Sequence, residues 1–197
     1  VENSVRTAGH LARIRQRDTD LRAACAALLP PAASFVWEAG CGHGHFLTAY
    51  AGAHPDRICI GIDLTADRIA RAERKRVRSG LPNLHFLQAE AGAFLAALPD
   101  QARLSEIYVL FPDPWPKRRH HKNRLMQPDF LEAMASRAGE GARLYFRTDD
   151  ESYFSYTKDV IKEIPSWRAV NEPWQFEVST VFQARASSHH SLVAVRR

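Results

Sequence analysis

Hydrophobic and polar positions alternate between two periods along this chain. Over residues 8–29, Leu11, Ile14, Leu21, Ala24 and Leu28 recur at near-helical spacing and predict a helix. Residues 1 to about 7 carry no such pattern and read as loose, and Pro30-Pro31 stops the helix. Short apolar runs follow at 34–38, 57–63, 84–88, 106–111 and 143–147, and each reads as a strand. Helical patterns separate them: from a glycine-rich turn to about Ala51, from an N-cap at Thr65 to about Ser79, and over 92–98, 127–137 and 151–164. Residues 167–170 and 191–195 read as late strands. Strands alternating with helices predict an α/β fold with a doubly wound, mostly parallel sheet. No repeat or linker interrupts it. The expected division is a basic helical segment over 1–33 and a single domain over 34–197.

Composition narrows the class without changing this picture. A chain of 197 residues can bury a substantial core, and 45% hydrophobic with 25% charged residues is ordinary for a soluble globular protein. No stretch reads as a signal peptide or reaches membrane-spanning length. The chain starts at Val1 rather than Met, which leaves room for native residues ahead of it. Cys25, Cys41 and Cys59 are odd in number and form no metal-type pair, so a reduced, cytoplasmic setting without metal is expected. The net charge of +5 is unevenly placed. Arg6, Arg13, Arg15, Arg17 and Arg22 decorate the first helix, as a solvated face or an auxiliary phosphate contact. Lys117 to Arg124 holds five Lys/Arg and two His with no acid, a segment that invites a polyanion.

The candidate chemistry sits at the carboxyl ends of the strands, the edge where open α/β sheets bind ligands. Glu38, Asp63 and Glu90 stand at or just beyond the first three strands. Asp113 follows the fourth, fixed between Pro112 and Pro114 and directly ahead of the basic run. Each acid could instead be a helix N-terminal charge favoured by the dipole. Glu38-x-Gly40-x-Gly42-x-Gly44 occupies the first strand–turn–helix junction. A dinucleotide fingerprint would need its third glycine one place later, where His45 stands, so a dehydrogenase is disfavoured. A cofactor with a charged amino acid end and a ribose diol, but no pyrophosphate, suits the carboxylates better. Cys41 reads as a small filler and Trp115 as packing under the proline loop.

The glycine spacing resembles the first motif of class I S-adenosylmethionine-dependent methyltransferases, and the resemblance implies a Rossmann-like sheet of that type with an antiparallel late strand. The run Phe111-Pro-Asp113-Pro-Trp115-x-Lys117-x-Arg119-His120-x-Lys122-x-Arg124 resembles the hallmark of the tRNA (guanine-N7)-methyltransferase family, which methylates a guanine of the tRNA variable loop. Thr148-Asp149-x-Glu151-x-Tyr153 matches a second motif, and Thr180 echoes a third. The resemblance implies S-adenosylmethionine as cofactor, held at Glu38, Gly40, Gly42, Gly44, Asp63, Glu90 and Asp113. It implies catalysis at Asp113 and tRNA contacts at Lys117, Arg119, His120, Lys122, Arg124, Asp149, Thr180 and Gln183. Gln183 replaces the family's usual acid, Asn123 interrupts a usual basic pair, and Glu90 stands where Asp is common.

Two other functions compete with methyl transfer to guanine N7 of tRNA. One is a methyltransferase of the same fold acting on another RNA or a small molecule, motivated by Gln183. The other is a non-catalytic RNA-binding module, disfavoured by the intact Glu38 and Asp63. A monomer or homodimer without a partner subunit is expected.

Overall fold

In the computed structural model, which describes residues 2–178 and 188–197, seven strands form one sheet. They are β1 (Ser34–Ala39), β2 (Ile58–Asp63), β3 (Leu84–Gln88), β4 (Arg103–Leu110), β5 (Ala138–Thr148), β6 (Trp167–Val170) and β7 (His190–Arg196). The order is β3-β2-β1-β4-β5-β7-β6. The first five strands pair in parallel, and β7 runs antiparallel to both β5 and β6. The helices are α1 (Glu2–Leu28), α2 (His45–Ala53), α3 (Ala66–Ser79), α4 (Ala91–Ala97), α5 (Pro128–Arg137) and α6 (Glu151–Glu163).

The central strands read as unbroken apolar runs because both of their faces are covered. Side chains alternate between those faces. Phe35, Trp37, Ile60, Ile62, Leu144 and Phe146 point into one core with Phe94 of α4, Leu131 and Met134 of α5 and Tyr153 of α6. Val36, Cys59, Tyr108 and Tyr145 point into the other with Phe46, Leu47 and Tyr50 of α2. Phe46 of α2 packs on Tyr108 at 4.7 Å, and Tyr145 stacks on Tyr108 at the same distance. Trp174 packs edge-on to both, at 6.3 and 5.2 Å, and Phe176 packs on Tyr50 at 5.1 Å. Residues 171–178 thus do the work of a helix with no helical periodicity, which is why the sequence pattern does not announce them.

Three further features depart from the pattern. The first helix begins at Glu2, ahead of its apolar spacing, and its carboxyl end is anchored by buried Cys25 and, just after it, Leu29. β5 starts at Ala138, five residues before its apolar run, with a register irregularity opposite Leu104 and Glu106. The fourth strand stops at Leu110, because Phe111 turns to φ 49°. Among the described residues no helix is long and apolar enough to cross a membrane.

Candidate active site

The sheet reverses direction of growth between β1 and β4, and such a switch point is where open α/β sheets take ligands, in a crevice beyond the strands' carboxyl ends. Glu38 lies one residue from the end of β1, between Gly61 of β2 and Tyr108 of β4. It is 4% exposed. Burial pushes its carboxyl up to about 8, against a hydrogen bond from the Leu47 backbone; nearby Asp63 adds to the rise and Lys75 opposes it. Its Oε2 is buried with no hydrogen-bond partner. Such an atom is costly unless a ligand supplies a donor.

The glycines that follow are required by geometry. Gly40, Gly42 and Gly44 all have positive φ, at 79°, 53° and 68°. Gly40 and Gly42 face open space, so the backbone is bare to a ligand on that side. Gly44 caps α2 against Phe86, whose Cζ would lie 2.4 Å from an added Cβ. Gly61, which sequence reasoning missed, does the same work from below: a Cβ there would approach Cys41 Cβ at 2.9 Å and Phe86 at 2.8 Å. Cys41 is packed at that point, and burial, followed by Glu38 and Asp63, raises its thiol well above the ordinary range. It is a filler, not a nucleophile.

Asp63 ends β2 and is 5% exposed. It accepts from Gly42 N–H at 3.1 Å and Thr65 N–H at 2.9 Å, with Arg68 at 3.5 Å. This carboxylate therefore braces the glycine turn as well as facing the crevice. Glu90 is exposed and caps α4, accepting from Ala93 N–H at 2.8 Å. The helix-cap role considered for the acids is thus realised at Glu90.

On the other side of the crevice, the proline loop leaves β4. Phe111 N–H donates to Arg147 O of β5 at 2.8 Å. Asp113 is exposed, and its Oδ1 accepts from Trp115 N–H at 3.1 Å, a turn that fixes where the carboxylate stands. Phe111 and Trp115 both sit at positive φ, 49° and 46°, unusual for such bulky residues and a mark of a tightly determined loop. The basic run then forms a short 3-10 helix, Arg118–Asn123, although its polar residues show no helical period. Lys117, Arg119 and Lys122 are exposed on it. His120 is half-buried, edge-on to Trp115 at 5.8 Å.

Arg124 is a correction. It was expected among the RNA contacts, but it is 2% exposed. Its Nε donates to Pro114 O at 2.9 Å and its guanidinium to Ser152 Oγ at 2.8 Å, and Tyr153 lies beneath it at 4.7 Å. A guanidinium so enclosed and so engaged presents no face to a phosphate. Asp149 is exposed at the β5–α6 turn, as expected of a substrate position. Its neighbour Asp150, not singled out from sequence, caps α6 by accepting from Tyr153 N–H at 2.7 Å. Arg147 was also missed. It is buried at the end of β5, where it pairs with both carboxylate oxygens of Glu177 at 2.7 and 2.9 Å and lies 3.9 Å over Trp174. Thr180 and Gln183 lie outside the described residues. Among the described residues no cluster of His, Cys, Asp and Glu could hold a metal ion.

A family model described as "Putative methyltransferase" matches residues 32–191. A tRNA (guanine-N(7)-)-methyltransferase of Caulobacter vibrioides is 36% identical over 145 residues, covering 73% of this chain and 64% of the relative. The enzyme of that name from Geobacillus kaustophilus is 40% identical over 120 residues, 61% of this chain and 55% of the relative. The chain thus spans less than two thirds of the length of these relatives. Among solved structures, a SAM dependent methyltransferase from Aquifex aeolicus superposes with a TM-score of 0.59 at 18% identity, over 86% of this chain and 85% of its own. That likeness speaks for the fold. The match over residues 32–191 places the chain in this methyltransferase family.

Proposed function

We propose that this protein transfers a methyl group from S-adenosylmethionine to N7 of a guanine in tRNA. The observation that carries this reading is two unlike walls at the carboxyl ends of adjacent strands, β1 and β4. One wall is a buried, unpartnered carboxylate oxygen on Glu38 beside an open glycine turn. The other is Asp113, held at the root of an exposed basic segment. The names carried by the relatives point the same way.

The first wall fits the cofactor. Its ammonium group is the donor that Glu38 Oε2 lacks, and the bare backbone at Gly40 and Gly42 admits its amino acid end. Asp63 spends part of its acceptor capacity on Gly42 and Thr65. A carboxylate has about four lone-pair sites, so capacity remains for ribose hydroxyls. Glu90, with one oxygen on its helix cap, stands at the adenine side. When bound, the sulfonium supplies an electrophilic methyl group.

The rest of the chemistry asks little proton transfer of the chain. Guanine N7 offers an in-plane lone pair and carries no proton, so no general base is needed. The chain's task is to hold N7 in line with the methyl group, and orientation supplies most of the rate. Positive charge grows on the purine as transfer proceeds, and a fixed carboxylate stabilises it. Asp113 is that carboxylate, with Asp149 as the second acid facing the base. Lys117, Arg119 and Lys122 hold phosphates, with His120 beside them, and Thr180 and Gln183 read the base's polar edge. The guanine leaves the tRNA core to reach the crevice. A cytoplasmic monomer or homodimer fits this reading.

Asp113→Asn tests this directly, because Asn keeps an acceptor for Trp115 N–H while removing the charge. Turnover on tRNA should fall by about 100-fold or more, with tRNA affinity unchanged. Undiminished turnover would remove Asp113 from the mechanism.

A further inference from the structure

Arg124 joins the two loops that carry the substrate-facing acids. Its Nε donates to the carbonyl of Pro114, the residue after Asp113. Its other end donates to Ser152 Oγ at 2.8 Å and reaches the Ser152 carbonyl at 3.5 Å. Ser152 Oγ in turn donates to Asp150 Oδ1 at 2.7 Å, and Arg124 itself lies 3.7 Å from that oxygen. Asp150 is the residue after Asp149. The guanidinium is therefore one rigid plane whose edges touch the neighbour of each acid. Burial opposes ionisation of Asp150, but the Ser152 hydrogen bond, the Tyr153 N–H and the Arg124 charge outweigh it and hold the carboxyl below its ordinary value. Tyr153 at 4.7 Å and Tyr156 at 5.8 Å close the face of the guanidinium. Tyr153 also reaches past it, where its hydroxyl accepts from Met126 N–H at 3.0 Å.

We propose that Arg124 is a positioning residue that sets the distance between the Asp113 loop and the Asp149 loop, and so the alignment of the base with the methyl group. The inference rests on the proposed reaction. It differs from the RNA-contact role in what its loss should change. A phosphate contact contributes to binding and to its salt dependence. A clamp between two walls contributes to turnover once substrate is bound, since a misplacement of about 1 Å at the reacting atoms can cost on the order of 100-fold. Lysine cannot replace it. An ammonium keeps the charge, but it lacks the planar fork that spans Pro114 and Ser152 together.

The test compares Arg124→Lys, Ser152→Ala and Arg119→Met with the parent protein, by steady-state methyl transfer to unmodified tRNA and by hydrogen exchange read on peptides spanning 108–126 and 146–156. Ser152→Ala is the safeguard, because it removes one exposed hydroxyl at the start of α6 and leaves the fold intact. Arg124→Lys should lower kcat by about tenfold or more, with KM for tRNA within twofold, and should speed exchange in both peptides. Ser152→Ala should move the same quantities the same way, less strongly. Arg119→Met should raise KM and leave exchange unchanged. The inference is overturned if Arg124→Lys keeps full kcat, if it raises KM and flattens the salt dependence with kcat intact, or if only one peptide loosens. Should Arg124→Lys not fold, a Ser152→Ala protein with unchanged kcat and exchange overturns it equally. Absence of methyl transfer by the parent protein would instead remove the proposed reaction, while the exchange data still decide whether the two loops are coupled.

Discussion

Glu38 carries the residue-scale argument. Its carboxyl, raised to about 8 by burial, holds its proton at neutral pH until a cation approaches Oε2. The folded value lies above a glutamate's ordinary 4.5, so between the two folding binds a proton that the unfolded chain releases. The corresponding stability is present below about 4.5 and is lost as pH rises through about 8. Chemical denaturation across that window should show the parent protein losing stability and Glu38→Gln losing less. The same variant should bind S-adenosylmethionine about 10- to 100-fold more weakly, since it gives up a charge-assisted hydrogen bond. Equal binding would take Glu38 out of the cofactor site. Gly44→Ala makes a separate claim. With φ at 68° and Phe86 Cζ 2.4 Å from the new Cβ, it should cost about 2 kcal/mol or more, read as a lowered denaturation midpoint. The strand-end acids and glycines were legible because their positions follow from strand and turn chemistry. Arg124 was not. A buried arginine and a phosphate-binding arginine look alike in a basic run, and only the fold shows that this one faces Pro114 and Ser152.

Among elements, the basic 3-10 segment Arg118–Asn123 and Lys117 before it form the unit that would meet RNA. Neutralising Lys117, Arg119 and Lys122 together should weaken tRNA binding and reduce the slope of log affinity against log salt by about 2 to 3, at roughly 0.7–0.9 per phosphate contact. An unchanged slope would make the segment a solubility feature. The strands of this sheet were readable because burial on both faces leaves continuous apolar runs. The opening residues of β5, Ala138-Gly139-Glu140-Gly141-Ala142, were not, since glycines and an acid hide a strand that pairs across an irregular register. The segment over residues 171–178 was hidden for a different reason. It is held by Trp174 and Phe176 against an aromatic sheet face and by the Arg147–Glu177 pair, and none of these leaves a period in the sequence.

At the scale of the molecule, the order β3-β2-β1-β4-β5-β7-β6 places the described residues of the candidate site along the carboxyl edge on both sides of one reversal point, with the proposed cofactor residues on the β1–β3 side and the proposed acceptor face on the β4–β5 side. The fold class was legible from alternation and the antiparallel late strand from the methyltransferase resemblance, while the meeting of the two walls needed the strand order. The central claim is that these walls together carry a methyl group to guanine N7 of tRNA. The most direct measurement is incubation with methyl-labelled S-adenosylmethionine and tRNA lacking the modification, followed by digestion and identification of the labelled nucleoside. The account predicts labelled N7-methylguanosine. Label in any other nucleoside, or no label from a protein that binds the cofactor, would contradict it.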